Sequence, residues 1–222
     1  MKSKIRRGIL PLCLLVAGFT GAGTAQADIS EALKAAQEGQ DIRAAELFNV
    51  AARSGDSEAF YFLGQFYGHG RGVERDHSKS VHWFQRYLDA DPANVERRSY
   101  AQLNLAGAYL NGSGTSRDVQ KALALYEASA INGNIEAAEM LFTLHFKGED
   151  VPKDRVAALS WAVIAAAAGE RLHVQLWKKL LEISSPQEIA SARKMANDRV
   201  DGILGLLDNR LAPQNALLTE PV

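Results

Sequence analysis

Residues 63–88, LGQFYGHGRGVERDHSKSVHWFQRYL, carry a spacing of residue types that returns twice downstream and once, in half, upstream. Leu63, Tyr67, Gly70, Gly72, Asp76, Lys79 and Phe84 lie 42 residues before Leu105, Tyr109, Gly112, Gly114, Asp118, Lys121 and Tyr126. A further shift of 36 brings Leu141, His145, Gly148, Asp150, Asp154, Ala157 and Ala162 onto the same frame. Upstream, Leu47, Phe48, Ala51, Ala52 and Gly55 reproduce only the second half of the unit. A period in this range marks stacked repeats, in which each unit buries its apolar face against its neighbours.

Within one copy, Ala59, Leu63, Phe66 and Tyr67 recur at three- and four-residue spacing, which places them on one face of a helix. That helix stops where Gly68, Gly70 and Gly72 cluster, because glycine accepts the left-handed backbone of a helix end. Asp76 then precedes a second apolar series, Val81, Phe84, Tyr87 and Leu88, where its carboxylate can cap the free amides of a new helix. Asp118 and Asp154 repeat that cap. A 36-residue unit has room for two helices of about 12–14 residues, each roughly 20 Å long.

The pattern LGxxYxxGxG(V)xxDxxKAxxWYxxAxxxG resembles the Sel-one-like (SLR) repeat, a relative of the tetratricopeptide repeat. Three copies match, at residues 59–91, 101–133 and 137–169, with the half copy at 41–55. The resemblance implies an all-α fold, a right-handed α–α superhelix (solenoid) of SLR/TPR-like helix pairs. It also implies adaptor work, and exported bacterial members look like regulators of envelope sensing or of complex assembly. The third copy departs from the pattern, with His145 for the tyrosine, Asp150 for the second glycine and Ala157-Ala158 for the Lys-Ala pair. Six extra residues fall near Asp89–Arg98, where Asp91-Pro92 disfavours helix and predicts a longer, projecting loop.

The flanks have their own signals. Residues 1–27 combine Lys2, Lys4, Arg6 and Arg7 with an apolar run from Ile9 to Phe19 and the ending Ala25-Gln26-Ala27, which reads as a signal peptide cleaved after Ala27. The run is short of the roughly 20 residues a span needs, and Cys13 lies inside it, so neither a stable membrane anchor nor a lipoprotein is expected. Cleavage would remove Cys13, the one cysteine of the chain, so stability would rest on packing without disulfides. It would also leave 21 basic against 26 acidic residues, a net charge of −5 that disfavours nucleic acid as a partner. Residues 28–55 read as an N-terminal helix pair holding the half repeat, 56–169 as the repeats, 170–208 as C-terminal capping helices and 209–222 as a disordered tail. Within the third of these, Ser185-Pro186-Gln187-Glu188 makes a capping box that starts a helix running to about Leu207.

Chemistry is sparse. Gly68-His69-Gly70-Arg71-Gly72 follows a helix where a phosphate loop follows a strand, so it reads as a turn. The five histidines, His69, His77, His82, His145 and His173, include no i, i+4 pair for a metal, and no metal or cofactor is expected. The aspartate row recurs at one repeat position and reads as capping, and no serine sits in a G-x-S-x-G elbow. Trp83 and Trp161 share one register and are expected in the core, with Trp177 sealing the C-terminal end.

These features predict a non-enzymatic, periplasmic or secreted scaffold that holds a protein or peptide in the concave groove formed by the first helix of each pair. Positions the repeat leaves free would line it: Tyr61, Gln65 and His69 in the first copy, Asn104 and Asn111 in the second, Thr143 and Lys147 in the third. The alternative is a cell-envelope hydrolase or β-lactam-binding protein, a role described for cysteine-rich relatives and disfavoured by the loss of Cys13.

Overall fold

Three turns of this chain are built by the same backbone devices. Asp76, Asp118 and Asp154 sit in extended backbone just before a helix and accept a hydrogen bond from the amide three residues on, at 2.9, 3.0 and 2.9 Å. Gly70, Gly112 and Gly148 end the preceding helix in the left-handed region, with φ of 71°, 70° and 76°, where a Cβ would be strained. Between them, the amide of each capping aspartate donates to the carbonyl of Tyr67, Tyr109 or His145 at 2.9, 2.9 and 3.0 Å. The turn is therefore written mainly in backbone, and it survives the side-chain departures of the third copy.

The computed structural model describes residues 29–169, 171–202 and 205. The expected signal peptide and tail, 1–27 and 209–222, lie outside the described residues. Among the described residues are ten helices and no strand: α1 (Ile29–Gln37), α2 (Asp41–Arg53), α3 (Ser57–His69), α4 (His77–Asp89), α5 (Val95–Asn111), α6 (Val119–Ile131), α7 (Ile135–Lys147), α8 (Arg155–Ala168), α9 (Arg171–Glu182) and α10 (Pro186–Arg199). No helix among them is long and apolar enough to cross a membrane. Helices pack in pairs, α1 on α2 through α7 on α8, and the second helix of each pair packs on the first of the next. That is the helix-pair solenoid expected from the period.

Close stacking depends on two glycines. At Gly72, φ is 63° and a Cβ would lie 2.1 Å from the Asp41 carbonyl oxygen at the start of α2. At Gly114, φ is 74° and a Cβ would lie 2.3 Å from the His77 carbonyl carbon at the start of α4. Each turn thus rests backbone to backbone on the helix pair before it.

The core changes character along the axis. Its N-terminal part is aromatic, with Phe48 stacked on Phe62 at 4.9 Å, Phe66 edge-on to Phe48, and Tyr61 against Tyr87 at 5.3 Å. Its C-terminal part is built on alanine, including Ala122, Ala138, Ala162 and Ala166, around the fully buried Trp161 and Trp177. Tyr109 and Leu125 pack against both. Trp83 departs from its expected place: it is only half-buried, stacked on Phe60 at 5.6 Å with Arg86 over its ring.

Two boundaries also differ from expectation. The six extra residues do not form a projecting loop. Two of them lengthen the connection between α4 and α5, which has five residues where the one between α6 and α7 has three; the other four lengthen α5 to 17 residues against 13 in α3 and α7. Asn94 caps that longer helix through the Arg97 amide, and Arg98 folds back onto Pro92 and Asp91, so the connection is tied down. The last helix keeps its capping box but ends at Arg199, eight residues before Leu207, because Val200 is extended and Gly202 turns the chain at φ 75°.

α10 returns over α8 and closes the stack. Its Arg199 donates to the Ser160 hydroxyl at 2.8 Å and lies 4.4 Å from the centre of the Trp161 ring. At the other end, Arg155 of α8 pairs with Glu188 of α10 at 3.1 Å and reaches the Ile183 carbonyl. Covered from several sides, α8 carries a sequence that is apolar nearly all round, RVAALSWAVIAAAA.

Candidate functional site

Between the first two repeats lies a cleft of about 370 Å³. Gln65 and His69 of α3 form one wall, Asn104 and Asn111 of α5 the other, and Arg75 and His77 the end nearest the turn. Its floor is the buried Ser80, Phe84 and Leu105. The floor is set by how closely α4 approaches α3: a Cβ at Gly64 would meet the Phe84 ring at 2.8 Å, and the Ser80 hydroxyl donates to the Gly64 carbonyl at 2.7 Å. Small residues on α3 thus draw α4 inward and leave the polar groups of α3 and α5 facing each other.

Four of the seven expected groove residues meet here: Gln65, His69, Asn104 and Asn111. Asn104 donates to the Tyr100 carbonyl at 2.7 Å, which orients its amide along α5. Gln65 donates to the Tyr61 hydroxyl at 2.8 Å. Tyr61 itself is a correction. Only 6% exposed, it packs among Phe62, Phe84 and Tyr87, and burial pushes its phenol up to about 12, so it stays neutral and anchors Gln65 from below. Thr143 and Lys147 lie on α7 and do not line this cleft; the Thr143 hydroxyl donates to the Glu139 carbonyl at 2.9 Å, and Lys147 is exposed. Lys147 does continue a row, since His69, Asn111 and Lys147 occupy one register in successive repeats.

Arg75 and His77 were not expected in the site. Their signal was present in the sequence as the residues flanking the Asp76 cap, which the turn folds back toward α3 and α5. The Arg75 Nε donates to the His77 Nε2 at 3.1 Å. Among the described residues no aspartate or glutamate lines the cleft.

Among the described residues no group of three or more His, Cys, Asp or Glu side chains is placed to hold a metal. His145, in the tyrosine register of the third repeat, is held below the ordinary histidine range by burial, and its Nδ1 is buried without a partner. That is a packing position.

Comparison with known proteins agrees with the repeat frame. The Sel1 repeat family matches residues 57–89, 99–134 and 135–170. Two Arabidopsis thaliana proteins, the ERAD-associated E3 ubiquitin-protein ligase components HRD3B and HRD3A, are 28% identical over 109 residues and 35% identical over 60. Those matches cover 38% and 26% of this chain but only 18% and 9% of the relatives, so the likeness is to a part of each. The crystal structure of a Sel1 repeat protein from Oxalobacter formigenes superposes with a TM-score of 0.60 at 21% identity, over 79% of this chain and 73% of that one. That likeness is one of fold. The hydrolase or β-lactam-binding alternative draws no support from these relatives.

Proposed function

Because the chain belongs to the Sel1 repeat family, whose repeats mediate protein–protein interaction, we propose that it is a non-enzymatic adaptor that holds a protein or peptide in the groove between its first helices. The observation that carries this reading is the convergence of Gln65, His69, Asn104 and Asn111, from two different repeats, on one cleft. A solenoid presents such a surface by stacking alone, and amide side chains at this spacing suit the peptide groups of an extended segment. The relatives named above are, by name, components of a larger ligase, which supports association as the work of these repeats.

The proposal extends to place: the adaptor acts in the periplasm or outside the cell, after cleavage following Ala27, in envelope regulation or complex assembly. What supports it is the basic, apolar and small-residue order of residues 1–27. Nucleic acid has no part in it, given the net charge after cleavage.

A photocrosslinking residue placed at position 65 or at position 104 in cells should yield one and the same adduct. The same residue in place of Val50, exposed on α2, should not. Adducts only from Val50 or from α10 would transfer the binding surface to the ends of the stack. N-terminal sequencing of the exported protein should begin at Asp28, and a chain retaining residues 1–27 in the cytoplasm would overturn the proposed location.

A further inference from the structure

The repeat contains its own control for the charge in the cleft. Arg75 and Arg117 stand 42 residues apart in one register, each just before a capping aspartate. Arg117 makes an ion pair across to Asp150 of the next turn, and its Nε donates to the Leu110 carbonyl at 2.9 Å. For Arg75 the corresponding position of the next turn is Gly114, which carries no side chain and which the packing on His77 requires to be glycine. Arg75 is therefore left without an acidic partner among the described residues, and its contact is the His77 imidazole, whose Nε2 accepts from it.

The nearby acids do not compensate it. Asp76 accepts from the Lys79 amide at 2.9 Å and pairs with the Lys79 ammonium at 3.4 Å, and those hydrogen bonds hold its carboxyl below the usual range. Glu74 borders a separate hollow with Asp41 and Arg43. Arg75 thus lines a cleft whose other polar walls are amides, imidazoles and hydroxyls, with no carboxylate among the described residues that line it. A cation in that setting, lining one cleft with three side-chain amides that each carry two N–H donors, suits a planar anion.

We propose that this cleft reads an aspartate or glutamate side chain of the partner peptide, with Arg75 supplying the charge and Asn111, Asn104 and Gln65 the flanking amides. The inference rests on the adaptor reading and names the chemistry of its partner. At the next junction, where Asp150 of the third-repeat turn occupies the position of Gly114, Arg117 of the second-repeat turn is neutralised and that selectivity is lacking. Repeats one and two form the discriminating end of the groove, and binding weakens as salt rises.

The full chain, probed with an array of random dodecapeptides acetylated and amidated at their ends, should select peptides enriched in Asp or Glu at one position. Arg75→Gln should abolish that enrichment and weaken a selected peptide about tenfold, the loss expected for one charged hydrogen-bonding partner at a partly exposed site. Arg117→Gln should leave both unchanged, and thermal melts of the two variants separate lost binding from lost folding. Peptides selected with no acidic enrichment, or enrichment that persists in Arg75→Gln, would overturn this inference while leaving the adaptor reading standing. Selection of no peptide by the unaltered chain would overturn the adaptor reading and this inference with it. If the amidated library shows no acidic enrichment while peptides with a free C-terminus bind and lose that binding in Arg75→Gln, the assignment to a side chain is overturned.

Discussion

The turn of the second repeat and the turn of the third follow one backbone path with different side chains. In the second, Gly114 presses against the start of α4, and Lys121 lies 4.2 Å from the Tyr109 ring with its ammonium donating to the phenol oxygen at 2.7 Å. In the third, Asp150 replaces the glycine and bonds Arg117, while His145 and Ala157 replace the tyrosine and lysine. The glycine end, the aspartate cap and the amide-to-carbonyl link are the same in both. The difference teaches that the backbone devices set the geometry of the repeat, and that the side chains over each turn answer to whatever that turn meets: the start of α4 for the second, Arg117 just before α6 for the third.

The sharpest way to test the contrast is at the unequal position itself. Gly114→Ala combines left-handed backbone with a Cβ 2.3 Å from the His77 backbone, and should cost about 2–4 kcal/mol in denaturant unfolding. Asp150→Ala, which removes a surface ion pair, should cost about 1 kcal/mol or less. Equal losses would mean the two turns are not the distinct packings described. At the shared position, Asp118→Ala and Asp154→Ala should each cost about 1 kcal/mol, the value of a helix cap, and a wide gap between them would break the claim of a common frame.

Smaller effects sharpen the side-chain half of the comparison. Lys121→Ala should cost about 0.5–1 kcal/mol through the lost ring contact, measured by thermal or chemical melts. The smallest concerns pH. His145 is shifted downward by burial, with Arg199 adding to the shift and Asp154 and Glu127 opposing it. The unfolded chain therefore takes up a proton near the ordinary 6.5 while the folded chain still resists it. The stability His145 contributes is complete above that pH and is lost as pH falls through the lower folded value. His145→Gln should flatten this part of the stability profile between about pH 7 and pH 5, and a wild-type profile without such a fall would remove the account.

Much of the frame was legible because its determinants are local. A glycine end and an aspartate cap act within a few residues, so spacing alone located Gly70, Asp76 and their copies. Tyr61 was misplaced for a geometric reason. Periodicity assumes one buried stripe, but α3 is packed by α2 and α4 and touches α5, so its buried arc takes in Phe60 and Tyr61 as well as Leu63. Asp91-Pro92 breaks helix and so predicts loop before α5, whereas Asn94 restarts the helix after only a short interval. Arg75 was legible only by setting Arg75 beside Arg117 and Gly114 beside Asp150, a comparison of partners across repeats that no single copy displays.

The return of α10 over α8 limits how this molecule can lengthen. A duplicated 36-residue unit inserted between the second and third repeats would find a turn on either side able to receive it. The same unit added after Ala168 would separate Arg199 from Ser160 and strip the cover from Trp161. Growth of the family line represented here is therefore expected from within, with the terminal helices carried along unchanged as a stopper.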